Sequence, residues 1–322
     1  MDAICTIITG NYGHYALALY DSVEQFNKNV HFYIFVSDNE LSSSIQKKIE
    51  DRTNIFVLNK NDLSVFKLAQ QLEQKYAINN QDAYRWGMKP IILRYLLETN
   101  YAKAIYVDCD IHFFSDFNFL FHQLNHCNIL LSPHFRSSNP KNDLLNFKLN
   151  FLDGIYNGGF IGASIGGIEA LNYWAELCLY NCEVNRNEGF YVDQRYLDIL
   201  HSRFEGVDVI RHKGCNIANW NQDDCKRVKL DDGTILINGQ FPIVFIHFTN
   251  SFFRGVLDEN DELLVKYLDS YKNSLLKYDD LDVIELYYLK GKMMTSRSET
   301  LTISKKKVSF FKKILKKIKF YG

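Results

Sequence analysis

The stretch 104–114, Ala-Ile-Tyr-Val-Asp-Cys-Asp-Ile-His-Phe-Phe, does most to limit what this chain can fold into. Its β-branched and aromatic residues predict a buried strand, which delivers Asp108 and Asp110, one residue apart, to its exit. Two carboxylates leaving a strand can hold a hard divalent cation, which in turn can bind the phosphates of a nucleotide. A solvated turn after a strand would look the same, so the pair takes its meaning from its setting.

That setting is an alternation of strands and helices. Residues 3–9 read as a first buried strand, followed by Gly10-Asn11-Tyr12-Gly13 and a helical pattern through Ala16, Leu19, Val23 and Phe26. Residues 30–36 form a second strand ending near Ser37 and Asp38, and 54–58 a third, with a polar helix over 42–50 between them. This order predicts an α/β fold with right-handed crossovers and a mostly parallel sheet, where ligands gather at the carboxyl ends of strands. Thr9, Asn11, Tyr12 and Asp38 fall at that edge, where ordinary turn chemistry also explains them.

Further along, Pro90 predicts the first turn of a helix that runs to about Asn100, with Lys89 at its entry. A lysine there is either a solvated surface residue or a partner for an anionic ligand. Residues 128–131 predict a short strand, and 132–150 a loop-rich segment able to cover a site. In 155–164 the paired Gly158 and Gly159 allow backbone to approach a ligand, and Asn157 offers donor and acceptor to hydroxyls; a simple hairpin is the plainer expectation. The next helix buries Trp174, Cys178 and Cys182 on one face. Residues 190–195 open another helix with Asp193 and Gln194 in its first turn, either facing the sheet edge or as ordinary terminus residues. The segment 214–221 sets Asn216 and other amides beside Trp220, which suits carbohydrate. Residues 241–248 predict a late strand that presents His247 near its end, as a third metal ligand or as a structural histidine.

Taken in order, these motifs resemble the GT-A glycosyltransferases, and most closely the bacterial branch related to glycosyltransferase family 8, the class of glycogenin and the lipooligosaccharide galactosyltransferases. The pattern comprises Thr9-Gly10-Asn11-Tyr12, Lys89-Pro90, Asp108-Cys109-Asp110, Tyr156-Asn157-Gly158-Gly159-Phe160, Asp193-Gln194, Asn216 to Asn221, and His247-Phe248, over roughly residues 1 to 255. The resemblance implies a GT-A, Rossmann-like fold and transfer of a sugar from a nucleotide-diphosphate donor, UDP-linked, to a glycan or lipid-linked acceptor. By that resemblance Asp108, Asp110 and His247 hold manganese or magnesium, and Thr9, Asn11, Tyr12, Asp38 and Asn216 lie along the donor. Lys89 then faces the diphosphate or donor sugar, Asn157 and Asp193 the sugar hydroxyls with Gly158 beside them, and Gln194 the anomeric carbon, with retention of configuration. One departure stands out: the family usually has a glycine and a lysine after the late histidine, whereas Thr249-Asn250-Ser251-Phe252 follows here. Lys89 or Arg254 would have to supply that cation. A sugar nucleotidyltransferase would need an arginine in a Gly-rich loop after the first strand, which 10–14 lacks, and a non-catalytic carbohydrate-binding protein would not need metal and nucleotide motifs together.

Composition narrows the partners. With 37 basic and 38 acidic residues, a formal net charge of -1 gives no global field for nucleic acid. Seven scattered cysteines argue against a disulfide framework and a structural zinc site, so a reducing, cytoplasmic setting is expected. No apolar run approaches the length of a spanning helix. The expected organisation is a catalytic domain over 1–255, a helical extension over 256–303 and a basic tail over 304–322. In that tail Val308, Phe311, Leu315 and Ile318 share a helical face between lysines, which predicts peripheral attachment to an anionic membrane, on its inner face.

Overall fold

A computed structural model describes residues 2–38, 41–257 and 261–279. Its centre is a seven-stranded sheet. Six of its strands we name β1 (Asp2–Ile8), β2 (His31–Val36), β3 (Ile55–Leu58), β4 (Lys103–Val107), β6 (Ile129–Pro133) and β7 (Tyr156–Ser164); β5 (Ile111–Phe113) lies outside this sheet. Across the sheet the order is Val207–Val209, β6, β7, β4, β1, β2, β3. Every neighbouring pair is parallel except those made by β7, which runs antiparallel to β4 and β6. The strands of the parallel half, β1 and β4 above all, are apolar on both faces because helices cover both.

The order places β4 and β2 on opposite sides of β1, so the chain reverses its direction of progress beside β1, and a crevice opens outside the carboxyl ends there. Because β7 is antiparallel, it is the start of β7 that reaches this edge: Phe160 pairs with Val107, which sets Asn157, Gly158 and Gly159 beside the exit of β4. The predicted hairpin is therefore a central strand.

The stretch 104–114 is two strands rather than one. β4 stops at Val107, the Ile111 amide donates to the Asp108 carbonyl at 3.0 Å, and β5 then pairs antiparallel with the strand Phe245–His247. That pairing sets His247 opposite Ile111, and the Phe248 amide closes on the Asp110 carbonyl at 2.8 Å. The late strand is likewise broken, into Phe241–Pro242 and Phe245–His247.

Two helix expectations need correction. The helix expected to begin at Pro90 spans Gln81–Thr99, capped by the Asn80 side chain, which accepts from the Ala83 amide. Lys89 and Pro90 lie in its buried interior. A proline there forgoes a backbone bond and costs about 3 kcal/mol in an isolated helix, but this helix buries Tyr84, Met88, Ile92, Leu93 and Leu96, and that packing outweighs it. Asp193 and Gln194 are not in the first turn of an α-helix either. Phe190–Tyr191 is a short strand, Val192 adopts φ 45°, Gln194–Tyr196 is a 3₁₀ turn, and the α-helix starts at Leu197. The loop expected over 132–150 contains most of a helix, Leu144–Leu152.

Beyond the sheet the described chain continues through the helices Asn250–Leu257 and Val265–Leu276, whose Tyr271 stacks on Phe248 at 4.0 Å. Among the described residues no helix is long and apolar enough to cross a membrane. The tail 304–322 and, within the extension, residues 258–260 and 280–303 lie outside the described residues.

Candidate active site

At the carboxyl edge, the ligand atoms of Asp108, Asp110 and His247 all lie within 4.8 Å of one another. His247 Nε2 is 3.0 Å from Asp110 Oδ1 and 3.9 Å from Asp108 Oδ2. Two carboxylate oxygens and one imidazole nitrogen form a donor set that manganese or magnesium accepts. The surrounding backbone is shaped to keep these atoms close. A Cβ at Gly159 would sit 2.6 Å from His247 Cε1 and 2.9 Å from Asp108 Oδ2, and one at Gly158 would sit 2.8 Å from Asp193 Oδ2. Only glycine fits either place, which is the physical content of the Asn-Gly-Gly run.

Behind the acids lies Lys89. Its Nζ is 3.2 Å from Asp108 Oδ1 and 3.2 Å from Asp193 Oδ2, and donates to the Gly158 carbonyl at 2.9 Å. The ammonium thus has one hydrogen bond and two carboxylates within ion-pair distance inside the protein, and the residue is 3% exposed. Burial favours the neutral amine, yet the two carboxylates overrule it and hold the Lys89 pKa above its ordinary value. Asp108 is disfavoured as an anion by burial, but Lys89, His247 and the Tyr106 hydroxyl, which donates to Oδ1 at 2.6 Å, bring its pKa below the usual carboxylate range. Burial pushes Asp193 up to about 6, with Lys89 pulling against it. For His247, burial works against the imidazolium, while Asp110 and Asp108 more than compensate and raise its pKa.

Amides organise the rest. Asn157 Oδ1 accepts from the Gly159 amide at 2.6 Å, while its Nδ2 donates to Asn216 Oδ1 at 3.0 Å and lies 3.1 Å from His247 Nδ1. Asn216, at φ 58°, anchors its own Nδ2 on the Pro133 carbonyl at 2.9 Å. Gln194 spans a gap: Oε1 accepts from the Gly158 amide at 3.1 Å and Nε2 donates to the Asp153 carbonyl at 2.8 Å. Trp174, buried as expected, also serves the site, since its Nε1 donates to the Asp193 carbonyl at 2.8 Å.

The structure therefore brings Lys89, Asp108, Asp110, Asn157, Gly158, Asp193, Gln194, Asn216 and His247 together. Thr9, Asn11, Tyr12 and Asp38 form a neighbouring group at the ends of β1 and β2. There the Gly10 amide donates to Asp38 Oδ1 at 2.8 Å and the Tyr12 amide to the Thr9 carbonyl at 2.9 Å. Arg254 is exposed on the helix Asn250–Leu257. Sequence reasoning missed Tyr106, although a tyrosine two residues before Asp108 shares its side of the chain. It also missed Asp153, which carries Gln194 on its carbonyl and whose carboxylate meets Arg136 at 3.4 Å and Arg186 at 2.7 Å; no local signal marks that role.

The chain is similar to the uncharacterized protein YfnF of Bacillus subtilis (strain 168), with 30% identity over 258 residues, or 77% of this chain and 80% of YfnF. It is also similar to the uncharacterized protein YfnD of the same organism, with 31% identity over 175 residues, or 52% of this chain and 53% of YfnD. No family model matches it. Among solved structures, the galactosyltransferase LgtC in complex with donor and acceptor sugar analogs matches with a TM-score of 0.51 at 14% identity, covering 83% of this chain and 96% of LgtC. That likeness shows the fold, which is the α/β, Rossmann-like GT-A fold with helices at its carboxyl-terminal end.

Proposed function

Since the chain belongs to the family of Bacillus subtilis YfnF and carries a GT-A fold, we propose that it is a metal-dependent glycosyltransferase of the kind found in glycosyltransferase family 8. It moves a sugar from a nucleotide-diphosphate donor, UDP-linked, to a glycan or lipid-linked acceptor of a bacterial surface polysaccharide or lipooligosaccharide. The observation that carries this reading is the convergence of Asp108, Asp110 and His247 at the carboxyl edge of the sheet.

In this reading those three residues hold manganese or magnesium, which when bound offsets the negative charge that grows on the leaving diphosphate. Lys89 holds Asp108 and Asp193 apart at fixed positions, so the ligand set is oriented before the donor arrives. Asn157, oriented by Gly159 and Asn216, turns the remaining acceptor position of its Oδ1 to a sugar hydroxyl, with Gly158 beside it. Thr9, Asn11, Tyr12 and Asp38 receive the nucleoside. As the glycosidic bond to phosphate breaks, the anomeric carbon becomes cation-like, and the Gln194 carbonyl oxygen and the Asp193 carboxylate lie on its reactive face. Configuration is retained.

Incubation with manganese and a panel of nucleotide sugars tests this. The expected result is slow hydrolysis of one donor, and a rise in the unfolding temperature with that donor and metal together. No hydrolysis and no shift with any donor would overturn it. The basic tail is proposed as the means by which the enzyme stays on the cytoplasmic face of the membrane. Deleting 304–322 is expected to lower sedimentation with phosphatidylglycerol vesicles at least tenfold while donor hydrolysis persists, since each lysine near an anionic leaflet contributes roughly 1 kcal/mol; undiminished sedimentation would refute the role.

A further inference from the structure

The helix Leu144–Leu152 has its amphipathic character inverted. Apart from Asn146, Lys148 and Asn150 it consists of leucine and phenylalanine, and none of its nine residues is buried. At 100° per residue, Phe151, Leu144, Lys148, Leu152 and Leu145 fall in that order along one arc of about 120°. These are the exposed positions: Leu144 is 52% exposed, Leu145 69%, Phe151 64% and Leu152 40%, and Ile155 just beyond the helix is 49% exposed. The opposite arc, turned to the protein, holds both amides, with Asn150 Nδ2 donating to the Ser137 carbonyl at 3.2 Å. Ordinary surface helices do the reverse.

This is not a frayed segment. Asp143 caps it, accepting from the Asn146 amide at 2.9 Å, and Arg136 Nη1 ties it down through the Leu149 carbonyl at 2.9 Å. A rigid helix that turns leucine and phenylalanine outward has a partner for that face. The charge names the partner. The one charged residue of the helix is Lys148, in the middle of the apolar arc, and exposed Lys141 precedes it. The nearby acids keep their charge but lie off the apolar arc, held by neutral groups of the preceding segment: Asp143 in the cap, Asp223 with Ser137 and Asn142, and Asp224 with the Ser138 amide. An apolar face with a central lysine suits a bilayer of anionic lipid, where the acyl region takes the leucines and the long lysine side chain reaches back to the phosphates.

We propose that the helix Leu144–Leu152 inserts at the interface of an anionic lipid bilayer, as a contact additional to the tail. The residue after it, Asp153, carries Gln194 on its carbonyl, so insertion holds the Gln194 side of the site beside the bilayer surface. Only this last consequence rests on the reading of the site as a sugar-transferring centre, and the test involves no donor, so the two can fail separately.

The full chain carrying Phe151→Trp, beside the unsubstituted chain, is mixed with vesicles of phosphatidylcholine and phosphatidylglycerol containing brominated acyl chains. The expected result is a blue shift and a loss of at least half of the added tryptophan emission, relieved by Lys148→Glu. Emission from the new tryptophan that ignores the vesicles overturns the proposal, even if the protein sediments with them through its tail. A blue shift without vesicles that grows with protein concentration also overturns it, because the face would then belong to a second copy of the chain.

Discussion

Asp110→Asn is expected to lower sugar transfer by at least 10²- to 10³-fold, the loss that follows removal of one electrostatic contact to a developing charge, with the unfolding temperature nearly unchanged. The amide has the shape of the carboxylate but is a poor ligand for a hard cation. It also withdraws the nearer of the two carboxylates that hold His247, whose Nε2 lies 3.0 Å from Asp110. The fold should be indifferent, because the Asp110 side chain is 31% exposed and the element is anchored by its backbone carbonyl on Phe248. Manganese titration followed by electron paramagnetic resonance, alongside transfer assays, separates the two effects. Transfer that survives in excess chelator, or in this variant, would remove the metal from the mechanism.

Lys89→Met is expected to destabilise the protein by about 3–5 kcal/mol, the cost of leaving the buried Asp193 carboxylate without its counter-charge. Asp193 is 2% exposed and has one ion-pair partner, so it bears most of the loss. The pH dependence follows in sign. In the native protein the Asp193 pKa of about 6 is above its unfolded value, so its contribution is fully present below about pH 4 and is lost as pH rises through 6. Removing Lys89 raises that pKa further, and the deficit of the variant should therefore be widest at neutral pH and shrink toward pH 5. Urea unfolding at both pH values measures it, and adding Asp193→Asn should restore part of the stability. A deficit below 1 kcal/mol at neutral pH would mean that Lys89 does not hold the two acids.

Much of this architecture is local, and the amino-acid sequence by itself determined it. β1 to β4 are apolar runs bounded by polar turns, and their alternation with helices requires crossovers and a sheet edge to which Asp108 must exit. The Asn-Gly-Gly run announces a place where backbone comes close to something, since glycine relieves a steric limit wherever it stands.

Which face meets which was decided only by tertiary structure. Pro90 is a fair signal for a helix start, yet packing around Leu93 and Leu96 carries the helix straight through it and takes Lys89 from its end into the interior. β7 could have been half of a hairpin; its insertion between β4 and β6 is what aims Asn157 and Gly159 at Asp108. The periodicity of Leu144–Leu152 is the same whether the apolar arc faces in or out, and only the exposure of Leu145 and Phe151, with Asn150 bonded on the inner side, reveals its direction. Hydrophobic period and turn chemistry act over a few residues, whereas Lys89, Asp108, Asp193 and His247 meet through contacts that span much of the chain, and these depend on how whole layers pack.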